Sequence, residues 1–296
     1  MERPAVYGKL LLTALFWGGT FIAGRQVAQN LGPCSIAFLR FALAGAVLLS
    51  LTRIQEGRLP SLRRRQLVLI VLLGLTGVFA YNVLFFLGLR RIEAGRAALI
   101  VATCPAFIAV ASALFLRERL VLIQALGIPL SILGAAVVIA RGDLRQILAG
   151  GIGPGELFIL GCVLSWAAYS LIGRVAMRGL TPLVCVAYSS LTGAIALAPA
   201  ALCEGLPRTI RQSCALDWLS ITYLAVFGTV LGFVWFYQGV RLLGATRAGL
   251  FINFVPISAV VLAFFLLREP ITPSLAVGAV LVLSGVYLTN RPAPRS

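Results

Sequence analysis

Ten long apolar segments fill most of this 296-residue chain, and they constrain its fold more than any other feature of the sequence. Charged residues or Gly and Pro separate the segments. A helix needs about 20 apolar residues to cross the hydrocarbon core of a bilayer. The sequence therefore predicts an all-α integral membrane protein with ten transmembrane helices. The expected segments are 8–28, 35–52, 67–89, 95–116, 120–140, 155–177, 182–203, 218–241, 246–267 and 272–290.

The composition supports the same fold class. Hydrophobic residues make up 60% of the chain, charged residues 11%, and the mean hydropathy is +1.01. The formal net charge is +16, but the basic residues stand at the ends of apolar segments, as Arg63, Arg64 and Arg65 do. In that position they anchor helix ends among lipid headgroups. The sequence therefore indicates a lipid bilayer as partner and argues against a nucleic-acid partner.

The distribution of basic residues predicts the orientation. If the amino terminus is cytoplasmic, 15 of the 25 Lys and Arg residues lie on the cytoplasmic side and 9 on the other, with Arg40 counted on neither side. Cytoplasmic loops of membrane proteins carry an excess of Lys and Arg. We therefore expect both termini in the cytoplasm.

Residue types that usually carry catalysis are scarce. The chain has no histidine and a single lysine, Lys9, and its nine Asp and Glu residues fall at segment ends or in loops. Its six cysteines form no Cys-x-x-Cys pair. We therefore expect no enzyme activity, metal site or cofactor, and we expect the cysteines to pack as small residues. The absence of any Asp, Glu, His or Lys in mid-membrane also disfavours proton coupling.

The chain repeats itself at a nearly constant offset. With a shift of 149 or 151 residues, many Gly, Pro, Trp and Arg residues superpose, and each half holds five segments. An odd number of segments turns the second copy upside down in the membrane. The expected units are 1–147 and 152–296, inverted about a central cavity. The matched pairs include Trp17 with Trp166, Pro33 with Pro182, Gly88 with Gly239, Arg96 with Arg247, Pro105 with Pro256 and Gly134 with Gly285.

Short motifs in these two units resemble the EamA-type repeats of the drug/metabolite transporter superfamily. They are Phe16-Trp17-Gly18-Gly19, Phe38-Leu39-Arg40-Phe41, and Pro105 followed by Arg117-Glu118. The resemblance covers essentially the whole chain. It departs from the pattern where Trp166-Ala167-Ala168 replaces Trp17-Gly18-Gly19, so closer helix packing is expected in the first half. The resemblance implies a bacterial inner-membrane exporter of amino acids or related metabolites that works by alternating access.

Polar and aromatic residues far from the segment ends are the candidates for substrate binding. Aromatic rings with hydroxyl and amide groups suit an amphiphilic solute, and a buried indole or amide needs a partner. The alternatives are interfacial aromatic belts and ordinary packing between helices. The candidates are Trp17, Thr20, Tyr81, Asn82, Trp166, Tyr169, Tyr237 and Asn253.

Two prolines are candidate hinges. Pro105 and Pro256 lie inside the fourth and ninth segments, where proline removes a backbone donor and presses on the carbonyl four residues earlier. We expect kinks near Val101 and Ile252. A static kink is as good an explanation as a hinge.

Charged residues supply the gate or substrate-carboxylate candidates, which are Arg40, Glu118 and Glu269. Arginines near segment ends, such as Arg25, Arg96 and Arg174, are expected to reach the headgroups by snorkelling. Arg40 shares this default, but it lies deepest in its segment and is therefore the best candidate for binding a substrate carboxylate.

These observations together predict a secondary transporter that exports amino acids or similar small metabolites, by facilitated transport or exchange. The fifth and tenth segments carry few polar side chains and are expected to pack outside the cavity. One alternative is a broader carrier of drugs, nucleotide sugars or lipid-like compounds. Another is a membrane receptor or scaffold without transport activity. The expected partners are a small-molecule substrate and the lipid bilayer, and a monomer is the working assumption.

Overall fold

The computed structural model describes residues 3–116, 120–143, 152–243 and 245–290. These residues form helices and no strand. Nine of the long helices are apolar and long enough to cross a bilayer, and the helix Pro273–Thr289 is shorter, with 17 residues. The ten are α1 (Arg3–Ala28), α2 (Pro33–Glu56), α3 (Arg64–Leu89), α4 (Ala94–Phe115), α5 (Leu122–Ile139), α6 (Pro154–Ala176), α7 (Pro182–Cys203), α8 (Ala215–Leu243), α9 (Ala248–Leu267) and α10 (Pro273–Thr289).

The expected all-α fold with ten membrane helices is confirmed. Several helices extend past the expected apolar segments, because helical hydrogen bonding continues through the polar ends, as at Arg53 and Glu56 of α2. A short helix, Leu206–Gln212, precedes α8, and the helical turn Ala245–Leu250 includes the first residues of α9.

The short connections force successive helices to alternate in direction. We call the end of the bundle that carries the start of α1 the proximal face, and the opposite end the distal face. At the distal face, Arg25 near the end of α1 contacts Glu269 after α9. At the proximal face, Lys9 near the start of α1 contacts Gln238 near the end of α8.

Helix packing follows the same pattern in the two halves of the chain. Helix α1 packs against α8 and α9, and α6 packs against α3 and α4. Each helix of one half can be replaced by the helix five positions further along the chain, with α1 counted after α10. The contacts of α1 with α8 and α9 then become the contacts of α6 with α3 and α4. The remaining extensive contacts include α2 with α7 and α5 with α10, which this exchange leaves unchanged.

Small residues permit close approach of the helix backbones at these contacts. A Cβ placed on Gly285 of α10 would lie 2.3 Å from the Ser131 nitrogen of α5. In α1, a Cβ on Gly18 would lie 2.1 Å from Ser258 Oγ, and one on Gly19 would lie 2.1 Å from Tyr223 Oη. Small residues at helix interfaces stabilise association in membranes through van der Waals contact. The Gly18-Gly19 pair thus allows α1 to pack tightly against both α8 and α9.

Four helices are irregular in the middle of the membrane. Residues Gly74–Ala80 of α3 and Val226–Leu231 of α8 are π-helical. Helix α4 is interrupted between Val101 and Cys104, and α9 has a 3₁₀ turn at Phe251–Asn253. Irregular backbone at this depth is tolerated where it is buried in protein or lines a cavity.

Candidate functional site

A central cavity of about 460 Å³ lies among nine of the ten helices, and its lining includes no residue of α5. The eight residues predicted to bind substrate all line it, as do the hinge candidates Pro105 and Pro256 and the gate candidate Arg40. Two residues of α10, Leu283 and Val286, also reach the lining. The tenth helix is therefore not wholly outside the cavity, because its proximal half turns one face inward. Substrate binding by these residues stays a prediction.

Aromatic rings form two opposite parts of the cavity wall. On one side, the ring centroid of Trp166 lies 5.4 Å from that of Tyr81 and 5.1 Å from that of Tyr169. On the other side, Trp17 lies 5.7 Å from Phe233 and 5.4 Å from Phe236. Such edge-to-face and offset arrangements stabilise aromatic clusters beyond their apolar burial. The wall presents a preformed surface for an apolar or aromatic group.

The indole of Trp17 has the partner that its position in mid-membrane requires. Its Nε1 donates a hydrogen bond of 3.0 Å to the Gly228 carbonyl. Thr20, one turn further along α1, donates to the Trp17 carbonyl at 2.6 Å. The interfacial-belt alternative does not describe Trp17, whose ring lies inside the bundle and lines the cavity.

Arg40 is held at the cavity wall by two neutral side chains. Its Nη1 donates to Asn82 Oδ1 at 3.0 Å, and its Nε donates to Thr229 Oγ1 at 3.1 Å. The guanidinium carbon lies 5.0 Å from the centroid of the Phe41 ring. Arg40 is only 8% exposed, so the snorkelling expected for it is wrong. Hydrogen-bond acceptors inside the bundle are closer than the headgroups.

Backbone carbonyls in the first π-helical segment and just before the second orient these side chains. Asn82 Nδ2 donates to the Gly77 and Val78 carbonyls, at 3.2 and 2.9 Å. Thr229 Oγ1 donates to the Leu224 carbonyl at 3.0 Å. A π-helical turn shifts the backbone hydrogen bonds by one residue and such turns are frequent at functional sites. Sequence reasoning missed both segments and Thr229.

Glycine in the middle of α3 was the available signal for the first π-helical segment. A Cβ on Gly77 would lie 2.2 Å from Cδ2 of Tyr169, so the ring of Tyr169 packs where a side chain would otherwise be. Gly228 has the same function in α8, where a Cβ would lie 2.6 Å from Thr20 Cγ2.

The charged residues that line the cavity are both basic. They are Arg40 and Arg174, and the lining includes no Asp or Glu among the residues that the structure describes. Arg174, near the proximal end of α6, donates to Ser112 Oγ at 3.2 Å. The wall therefore has a positive electrostatic character, which favours anionic or zwitterionic solutes.

The candidate hinges lie where the helices are irregular. Pro105 follows the break between Val101 and Cys104, and Pro256 follows the 3₁₀ turn that ends at Asn253. Both breaks lie close to the kinks expected from the two prolines. Their action as hinges stays a prediction.

Glu269 lies at the distal face and not in the cavity. Its two carboxylate oxygens accept hydrogen bonds from the backbone nitrogens of Ala94, at 2.8 Å, and Gly95, at 3.0 Å, at the start of α4. Arg25 Nε approaches Glu269 Oε1 at 3.2 Å, and Arg25 Nη1 donates to the carbonyls of Leu89 and Ile92. Glu269 is thus not placed to contact a solute. Glu118 lies outside the described residues.

Arg96 forms the second ion pair of the distal face. Its Nη2 lies 3.0 Å from Glu156 Oε1 and also donates to the carbonyls of Val138 and Ile139. Arg96 is 5% exposed, so the expected snorkelling is wrong here as well. The end of α5 and the start of α6 supply acceptors closer than the lipid headgroups.

The cavity extends from mid-membrane towards the proximal face. Helix α6 lines it from Trp166 to the residue after its proximal end, Met177. Helix α7 lines it with Cys185, Val186 and the two serines that follow, all from the proximal half. Arg40 belongs to the distal half of α2 and thus lies near the distal end of the cavity.

Comparisons with known proteins agree with this architecture. Residues 6–140 and 153–291 match the EamA-like transporter family. The chain is 32% identical over 290 residues to "Uncharacterized transporter YyaM" of Bacillus subtilis (strain 168), covering 98% of this chain and 95% of that protein. It is 31% identical over 294 residues to a "Probable terminal-alkyne amino-acid exporter" of Streptantibioticus cattleyicolor (strain ATCC 35852 / DSM 46488 / JCM 4925 / NBRC 14057 / NRRL 8057), covering 98% and 95%. A crystal structure with 22% identity superposes with a TM-score of 0.62 over 97% of this chain and 99% of that chain, which shows the fold alone.

Proposed function

The chain belongs to the EamA-like transporter family, and from this premise we propose that it exports amino acids or related small metabolites across the bacterial cytoplasmic membrane. The central cavity is the observation that carries the proposal. A cavity of about 460 Å³ lies within the range of pockets that hold small ligands. Its aromatic wall and its few polar groups suit a small amphiphilic solute.

Amino acids are favoured as the solute class by one relative. The protein of Streptantibioticus cattleyicolor with 31% identity is named as a probable exporter of a terminal-alkyne amino acid. Its substrate combines a carboxylate and an amino group with an apolar side chain. The cavity described above has a cation and an extensive aromatic surface for the first and last of these groups.

Alternating access is the proposed mechanism, with residues 1–147 and 152–296 as two inverted repeats. Two observations support it. The family matches the chain twice, once in each half, and the helix packing pattern is the same when the halves are exchanged. The π-helical segments of α3 and α8 and the breaks of α4 and α9 also correspond between the halves. Rocking of one repeat against the other then exposes the site alternately to each side.

The proximal face is the proposed cytoplasmic face. It carries the start of α1 and the polar connection between α2 and α3, where Arg63, Arg64 and Arg65 are clustered, as the excess of basic residues in cytoplasmic loops requires. The cavity extends towards this face, while charged contacts tie the helix ends together at the distal face. The conformation is thus suited to receive a solute from the cytoplasm.

Counterflow in proteoliposomes tests this proposal. Purified protein is reconstituted with a high internal concentration of one amino acid, and uptake of the same labelled amino acid is followed for each member of a panel. We expect saturable uptake that exceeds that of protein-free liposomes. Trp166→Ala removes the central ring of one part of the cavity wall and is expected to abolish the saturable uptake. Trp218→Ala is the matched control, because Trp218 is an exposed residue of α8 outside the cavity.

Two results would reject the proposal. The first is the absence of saturable counterflow with every amino acid and related metabolite of the panel, which favours a receptor or scaffold. The second is saturable counterflow that Trp166→Ala leaves unchanged, which would place the transport route outside the central cavity.

A further inference from the structure

We propose that the cavity selects its solutes by a carboxylate that Arg40 binds, and that it makes no charge-based use of the amino group. The solute class is then apolar or aromatic carboxylates whose amino group is free, acylated or absent. The inference rests on the proposed function, since it assumes that solutes bind in the central cavity.

The first argument is the state of Arg40. A guanidinium group has five N–H donors, and neutral acceptors on Asn82 and Thr229 take two of them. Among the described residues, Arg40 has no carboxylate partner, and its Nη2 has no hydrogen-bond acceptor. A buried cation without a counterion is unfavourable, and such residues in membrane proteins mark substrate pathways. A solute carboxylate would provide the missing charge.

The second argument is access to that nitrogen. Arg40 lines the cavity, and its Nη2, which has no acceptor in the described part of the chain, is not among the fully buried side-chain nitrogens, so it keeps accessible surface. Asn82 holds Nη1 and Thr229 holds Nε. Asn82 is anchored to the Gly77 and Val78 carbonyls of the first π-helical segment, and Thr229 to the Leu224 carbonyl, two residues before the second. The guanidinium is therefore held in one orientation, and the N–H donors of Nη2 remain for charge-assisted hydrogen bonds to a carboxylate.

A purely structural function does not explain the charge. Two neutral acceptors could be bridged by a neutral donor such as glutamine, without the cost of burying a cation. The retained charge is explained if the partner is anionic and arrives with the solute.

The third argument is the absence of a group for an ammonium. No Asp or Glu occurs in the cavity lining among the described residues, and the other charged residue there, Arg174, is a second cation. An amino group could only stay hydrated or lie over the rings of Tyr81, Trp166 or Tyr169. Such contacts between a cation and a ring are weaker than a buried ion pair. Removing or acylating the amino group should therefore be tolerated.

The position of Arg40 orients the solute. Arg40 lies near the distal end of the cavity, and the aromatic wall of α3 and α6 extends from there towards the proximal face. With its carboxylate at Arg40, a solute places its apolar part against Tyr81 and Trp166. Aliphatic and aromatic side chains then fit the same surface.

Four chemical forms of each probe test the inference. Phenylalanine, leucine and valine are each supplied as the free acid, the N-acetyl acid, the methyl ester and the primary amide, and each form competes in counterflow with the labelled free acid. We expect the free and N-acetyl acids to compete within about threefold of each other. The ester and amide are expected to compete at least about tenfold less well, since they cannot form charge-assisted hydrogen bonds with Arg40.

Variants of Arg40 complete the test. Arg40→Gln is expected to lower the affinity for the acids at least about tenfold and to remove their advantage over the amides, whereas Arg40→Lys keeps part of that advantage. Arg174→Gln is the control for general loss of positive charge. Thermal unfolding of each purified variant in detergent, with and without N-acetylphenylalanine, shows whether the protein is folded and binds the probe independently of transport.

The outcomes separate this inference from the proposed function. Counterflow with equal competition by acids, esters and amides, or acid selectivity that survives in Arg40→Gln, overturns the inference and leaves the proposed function intact. Failure of the N-acetyl acids to compete also overturns it, because an amino group is then required. If no free acid of the panel shows counterflow or stabilises the protein, both proposals fail together.

Discussion

The two faces of the helix bundle are held together by different kinds of contact. At the distal face, four carboxylates contact the start of another helix, or a polar side chain of another helix or of the turn after α1: Glu156, Glu204, Asp217 and Glu269. At the proximal face, Lys9 and Glu56 each contact a neutral side chain, and further contacts join two neutral groups. Examples are Gln66 Nε2 with the Gly179 carbonyl and Tyr188 Oη with the Pro60 carbonyl.

The difference indicates which face is more firmly closed. Glu204 accepts hydrogen bonds from the backbone nitrogens of Cys34 and Ser35, as Glu269 does from the start of α4. A carboxylate at a helix N-terminus satisfies free backbone donors and also interacts favourably with the helix dipole. Neutral and exposed contacts contribute less. Access from the distal face therefore requires that several charged contacts break together.

The largest effect is expected at the most buried of these contacts. Arg96→Ala leaves Glu156 without its cation, and breaking a buried ion pair by removing one partner costs about 3–5 kcal/mol. We expect a corresponding loss of stability in reversible unfolding in mixed micelles. The control is Arg91→Ala, whose side chain is exposed and lies over the Phe158 ring.

A second substitution sharpens this test. Glu156→Gln in the Arg96→Ala background removes the stranded charge and should recover part of the stability, which gives a coupling energy from the double-mutant cycle. A loss below about 0.5 kcal/mol for Arg96→Ala, the level typical of surface changes, would contradict the view that this contact ties the distal face.

The second-largest effect is expected on the equilibrium between the conformation open to the proximal face and the one open to the distal face. Glu269→Gln keeps the shape of the side chain but removes its charge from Arg25 and from the start of α4. A loss of about 1–2 kcal/mol at such a site corresponds to a shift of about tenfold in a two-state equilibrium. Cys185, which lines the cavity, can report this shift in a variant without the other cysteines. We expect faster labelling by a membrane-impermeant maleimide added at the distal face.

A Glu-to-Gln substitution at the proximal face should have the smallest effect on the equilibrium between the two conformations. Glu56 accepts a hydrogen bond of 2.9 Å from Thr181 Oγ1 in an exposed position, where substitutions usually change stability by no more than about 0.5 kcal/mol. Glu56→Gln should therefore leave the labelling rates of Cys185 within about twofold of the parent on both sides. Equal changes for Glu56→Gln and Glu269→Gln would remove the distinction between the two faces.

The fold and the distal contacts differ in how far the sequence predicted them. Ten apolar segments predict ten helices because the bilayer imposes the length and polarity of each segment. Glu269 was recognised only as a charged residue near a helix end, since its partners at Ala94 and Gly95 are more than 170 positions away. No local pattern encodes which helix start a carboxylate will cap.

Within the cavity, residue type was more informative than residue geometry. The indole of Trp17 and the amide of Asn82 were candidates because buried polar groups need partners. The partners themselves, the Gly228 carbonyl and Arg40, depend on the π-helical turns and on tertiary packing. Those turns are stabilised by contacts such as Tyr169 on Gly77, which the sequence of α3 alone does not contain.

The final prediction is that an imposed pH gradient adds little to transport, because the distal carboxylates tie helices together and do not carry protons through the site. A proton-driven carrier needs a group at the substrate site that changes its charge as the site turns from one side to the other. The described cavity lining contains no Asp, Glu, His or Lys. Glu269 lies outside it, against Arg25 and two backbone nitrogens.

Counterflow is measured with and without a pH step of about two units, which would supply about 2.7 kcal/mol per coupled proton. We expect equal final accumulation in both conditions. Uphill accumulation that requires the pH step and disappears in Glu118→Gln or Glu269→Gln would show that one of these carboxylates carries the coupled proton.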